Sequence, residues 1–104
     1  MARFDVYANP DPDDRRHTPF VVDVQNDHLG PLESRVVIPL RTPQYLGVVV
    51  RNLNPSWRIA GRPVVLDTAH IAAIRTSLLR RPVAKLDRER ADVVDALDTL
   101  FGSF

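Results

Sequence analysis

"FVVDVQND", residues 20–27, decides how this chain folds. Phe20, Val22 and Val24 fall on one side of an extended backbone, and Val21, Asp23 and Gln25 on the other. Alternation with period two marks a half-buried strand, with an apolar face inward and a mixed face outward. Upstream, "RFDVYA" (3–8) alternates in the same way and predicts a first strand. Between the two, "NPDPDDRRHTP" (9–19) is rich in Pro and Asp, has no apolar face and reads as a charged loop.

Downstream, the Gly-Pro of "HLGPLES" (28–34) forces a turn into "RVVIPL" (35–40), a third strand with Val36, Ile38 and Leu40 on one face. Pro39 has no N–H to give to a ladder, so this strand is expected at a sheet edge or to end there. "RTPQYLGVVVRNLNP" (41–55) fits a short strand or an irregular helix equally well, and 42–54 is left unassigned. "SWRIAGRPVVLD" (56–67) reads as a hairpin about Gly61 with Trp57 and Ile59 on one face. "IAAIRTSLL" (71–79) alternates through Ile74, Thr76 and Leu78. The period then changes. Val94, Leu97 and Phe101 recur at helical spacing, flanked by Val93 and Leu100, with Asp92, Asp95 and Thr99 opposite. Asp87 is the expected N-cap, Glu89 suits the positive first turn, and Gly102 is the expected stop. Several short strands followed by one amphipathic helix at about 87–101 predict a mainly β chain with the helix packed on the sheet.

A chain of 104 residues reads as a single domain, 1–104, with a modest core. It has no cysteine, which excludes disulfides, thiol catalysis and thiolate metal sites. The formal net charge of +1 gives no electrostatic footprint for nucleic acid. All but one of the 14 basic residues are arginine, the exception being Lys85. No apolar stretch is long enough to cross a bilayer, and no apolar leader opens the chain, so a cytoplasmic location is expected. Catalytic motifs are lacking: no nucleophile elbow surrounds any serine, and the glycines are isolated. The histidines are His17 in the charged loop, expected to be solvated, His28 in a turn beside Asp27, and His70. Asp67-x-x-His70 brings a carboxylate near an imidazole, but two ligands do not make a metal site. The acids Asp87, Glu89, Asp92, Asp95 and Asp98 read as a solvated helix face. Trp57 reads as a core residue, and "LLRRP" with Arg75 as a modest basic patch.

Taken in order, "FDVYA", "FVVDVQND", "RVVIPL", "LNP" before a strand and Gly61, and "PVAKLDRERADVVDALDTLF" (82–101) resemble the CcdB family of toxins from bacterial toxin–antitoxin pairs. The resemblance implies an SH3-like small β-barrel with a C-terminal helix, assembled as a two-fold homodimer. It implies a non-enzymatic toxin that binds the A subunit of DNA gyrase and traps the enzyme on cleaved DNA. A CcdA-like antitoxin with a disordered segment would neutralise it. No cofactor, metal or membrane is implied, and no sequence-specific contact with nucleic acid. By resemblance, gyrase contacts match Asn26, His28, Asp98, Gly102, Ser103 and Phe104. Antitoxin contacts match the first long loop: Asp11, Asp13, Asp14, Arg15 and Arg16. The chain departs from the family at its tip, where Gly102 stands in place of the stacking Trp. Three consequences stay open: Phe104 supplies the aromatic from two positions later, the target differs, or the chain binds an antitoxin without being toxic. A MazF-like endoribonuclease on the same barrel is the enzymatic alternative.

Overall fold

The computed structural model describes residues 2–29 and 32–102. Seven strands form one antiparallel sheet that curls into a nearly closed barrel: β1 (Asp5–Ala8), β2 (Phe20–Asp23), β3 (Ser34–Arg41), β4 (Ser56–Ile59), β5 (Arg62–Leu66), β6 (Ala72–Arg75) and β7 (Ala84–Lys85). The order is β4-β5-β3-β2-β1-β7, with β6 also paired to β3. A short helix, α1 (Pro43–Leu46), follows β3, and α2 (Arg90–Phe101) closes the chain. The mainly β barrel with one C-terminal helix expected from the sequence is the one observed.

The register places apolar residues opposite one another in rows. Val6 faces Val22, which faces Ile38; Phe20 faces Leu40, which faces Leu66. Such cross-strand pairs are the unit of sheet stabilisation. These side chains are buried, and Phe4, Val24, Ile59, Val64, Leu86, Val93 and Ala96 complete the core, with Trp57 packed at its margin. Trp57 Nε1 also donates to Asp92 Oδ2 across 3.4 Å, tying β4 to α2.

Pro39 is not at an edge. β3 is the central strand, flanked by β2 on one side and by β5 and β6 on the other. In an antiparallel strand a residue's N–H and C=O point to the same side. The Pro39 carbonyl accepts from Asp67 N–H at 2.9 Å, so the missing donor faces the β5/β6 side. There the partner changes: Leu40 and Arg41 pair with β5, and Ser34 to Val37 with β6. The proline falls at that changeover, where the ladder is already interrupted.

β2 is not half-buried either. Its second face is covered by a smaller cluster of Tyr7, Val21, Val37 and Leu79, with Ile74 against it. Asp23 is 0% exposed on that face, and its Oδ2 accepts from Arg35 Nε at 2.7 Å. Arg35 Nη2 lies 2.7 Å from the same oxygen but off the hydrogen-bond line, so it adds charge and no bond of its own. Asp23 Oδ1 accepts from Gln25 N–H. The Tyr7 hydroxyl is buried beside this pair without a hydrogen-bond partner among the described residues. Burial, then the charges of Asp5 and Asp23, push its pKa up to about 12. The folded state therefore holds the proton more tightly than the unfolded chain, where Tyr titrates near 10. This contribution to stability is full below pH 10 and is lost between about pH 10 and 12. Urea midpoints measured across that window should fall more steeply for the native chain than for Tyr7→Phe.

Of the remaining elements, some match the expectation and others shift. The hairpin turns at Ala60 and Gly61 as expected, both at positive φ (51° and 79°), as a two-residue type I′ turn requires. The unassigned segment contains α1, capped on its C-terminal side by Gly47, and then a loop whose Val48, Val49 and Val50 are exposed. β6 ends at Arg75, and Thr76–Leu78 is a single 3-10 turn. α2 starts at Arg90 rather than 87: Val93 N–H bonds Glu89 C=O, and Asp87 instead pairs with Arg90 at 3.2 Å. Its buried stripe runs through Val93 and Ala96, with Val94 and Leu97 at the border, while Phe101 is 69% exposed. Ala96 is fully buried within that stripe. Gly102 ends the helix at φ 79°, its N–H bonded to Asp98 C=O at 2.7 Å, as expected.

Candidate functional surface

The residues expected at the surface fall into three places. Asn26 and His28 lie together in a turn after β2, where Asn26 Oδ1 accepts from His28 N–H at 2.9 Å. They line a pocket of about 400 Å³ with Ala2, Arg3, Phe4, Asp27, Lys85 and Arg90. Asp98 lies elsewhere, in a shallower recess of about 300 Å³ with Asn52, Asp95 and Thr99. Gly102 adjoins Asp98 through the helix-ending bond, whereas Ser103 and Phe104 lie outside the described residues. As expected, Asp92, Asp95 and Asp98 are exposed along α2.

Sequence reading missed four residues of the first pocket: Arg3, Phe4, Lys85 and Arg90. Phe4 has φ 74°, a conformation that a bulky side chain adopts only under constraint. Its N–H bonds Asp23 C=O and its C=O accepts from Leu86 N–H, so both neighbours fix it. The ring is 5% exposed, and the guanidiniums of Arg3 and Arg90 lie 4.9 and 5.5 Å from its centroid. Both distances are within cation–π range. No local signal marks them: Arg3 and Phe4 meet Lys85 and Arg90 only because β1 pairs with β7.

The first loop is more ordered than its composition implies. Pro12–Asp14 forms a 3-10 turn whose N-cap, Asp11, accepts from Asp13 N–H at 3.1 Å. Arg15 Nε donates to Asn9 C=O at 2.7 Å, and Asp14 lies 3.9 Å from Arg41. Asp11, Asp13, Arg15 and Arg16 are exposed, and Asp14 is half-buried. His17 is not simply solvated: its ring stacks on Tyr45 at 4.6 Å, and Arg41 covers the same Tyr45 ring at 5.3 Å.

The Asp67-x-x-His70 spacing does pair its two side chains. His70 Nδ1 lies 2.8 Å from Asp67 Oδ2, and Arg41 Nε donates to that same oxygen at 2.9 Å. Asp67 is buried and so serves as a tie between β3 and the turn that leads into β6. No group of three His, Cys, Asp or Glu side chains able to hold a metal occurs among the described residues.

A nearly closed small β-barrel with one C-terminal helix defines the structural class of this chain. Within that class the chain belongs to the CcdB family: the family model for CcdB protein matches residues 3–102. No curated protein matches the chain. Membership places it among the toxins of toxin–antitoxin pairs. No helix among the described residues is long and apolar enough to cross a membrane.

Proposed function

We propose that this chain is the toxin of a type II pair that binds the A subunit of DNA gyrase and is neutralised by a cognate antitoxin, without catalysis of its own. The match to the CcdB family over residues 3–102 carries this reading. The exposure of Asn26, His28 and Asp98, and a helix that ends at Gly102, support it, since each of those positions is free to meet a partner. The tip Gly102, Ser103 and Phe104 takes the family's gyrase-contacting place. Asp11, Asp13, Asp14, Arg15 and Arg16 take that of the antitoxin loop. A cytoplasmic homodimer, with 1–104 as one domain, completes the reading, and a role in plasmid maintenance accords with it.

Expression without an antitoxin should arrest growth and produce gyrase-dependent cleaved DNA. Removing residues 102–104 should abolish the arrest, because hot-spot contacts at an interface centre carry several kcal/mol. Arrest with intact DNA, or full toxicity of the truncated chain, contradicts the proposal. Light scattering at micromolar concentration tests the dimer.

A further inference from the structure

The pocket at Asn26 and His28 is rich in donors. Three cations, Arg3, Lys85 and Arg90, line it against one carboxylate, Asp27. Asp27 Oδ1 already accepts from Arg3 N–H at 2.7 Å. Arg3 uses only Nε, which donates to Val24 C=O; no carboxylate lies within 4.0 Å of its guanidinium among the described residues. Its two terminal nitrogens are therefore available as a planar fork. Arg90 pairs only with Asp87, in a contact where both side chains are more than half exposed, so that pair yields readily to a better partner. Both guanidiniums lie against the Phe4 ring, and all three residues line the pocket.

We propose that this pocket receives the carboxylate of an acidic side chain from a protein partner, held by the Arg3 fork and Arg90. A carboxylate fits better than a polyanion. Asp27 lines the pocket, Asp5 lies 3.4 Å from Lys85, and Asp87 pairs with Arg90, so the surroundings accept one added negative charge and repel a run of phosphates. The whole chain's charge of +1 points the same way. Pairing of carboxylate with guanidinium is bidentate and strengthens where water is displaced. The inference rests on the proposed function only in taking Asn26 and His28 to face a protein partner. It is tested without gyrase, so either can fail alone.

The probe is a terminally capped Gly/Ser peptide with one central glutamate, titrated by calorimetry into the purified full chain, with a short DNA duplex as a second titrant. The peptide should bind, and Arg3→Gln and Arg90→Gln should each weaken it about tenfold or more. Arg58→Gln, on the β4–β5 hairpin, should leave binding within twofold. Arg90 is exposed at the start of α2, so its variant tests the pocket even if Arg3→Gln disturbs folding, which circular dichroism reports. Absence of peptide binding, equal weakening by Arg58→Gln, or tighter DNA binding through Arg3 and Arg90 would overturn the proposal.

Discussion

Arg35→Met should destabilise the fold by about 3–5 kcal/mol, the loss expected when one partner of a buried ion pair is removed. Asp23 is 0% exposed, and Arg35 1% exposed, on a face of β2 and β3 closed over by Tyr7, Val21, Val37 and Leu79. Without the guanidinium, Asp23 keeps only its bond from Gln25 N–H and a charge in an apolar surround. Against a total stability on the order of 5–15 kcal/mol, such a loss leaves the variant near the folding threshold. Urea denaturation should show a lower midpoint at unchanged slope. The pair itself adds little net stability, because both ions were desolvated to form it. The double variant Asp23→Leu/Arg35→Met should therefore recover most of the loss. A single variant within 1 kcal/mol of the native chain would mean that Asp23 reaches water.

That ion pair also marks the limit of what the sequence discloses. In "FVVDVQND" the alternation was legible, and with it β1, β2, the hairpin and the C-terminal helix, because period two and period 3.6 follow from local geometry. Polar residues at 23 and 25 read as an outer face, since charge at alternate positions ordinarily means solvent. Only the tertiary fold brings Arg35 to Asp23 and closes Leu79 over them. Pro39 misled for a related reason: the proline rule concerns the missing donor, but which side that donor faces depends on register. On α2 the large residues drew attention to Phe101, whereas contact with the sheet is made by Val93 and Ala96. The candidate surface was less legible still. Asn26 and His28 are expected there only through resemblance, and Arg3, Phe4, Lys85 and Arg90 meet them only after β7 pairs with β1. The separation of Asp98 from that pocket is likewise a property of the fold rather than of spacing.

Leu40→Ala should cost about 2–5 kcal/mol, the range for emptying a leucine site in a rigid core. Leu40 is 0% exposed and sits in the middle of a row, with Phe20 opposite on β2 and Leu66 opposite on β5. β3 pairs on both sides there, so the backbone cannot move inward on one side without stretching the ladder on the other. The void should therefore stay open rather than collapse, which places the loss in the upper part of the range. At about 4–8 °C per kcal/mol for a domain of this size, a loss in that upper part should drop the melting temperature by roughly 15–40 °C. Val49→Ala removes a comparable apolar group from the exposed loop after α1, and should change stability by about 0.5 kcal/mol at most. Calorimetric melting of the two variants beside the native chain separates the cases. Near-native melting of Leu40→Ala would show that the barrel closes around the vacancy, and that the strand's double pairing does not hold it rigid. Substantial loss in Val49→Ala would instead show that the exposed valines are covered in solution.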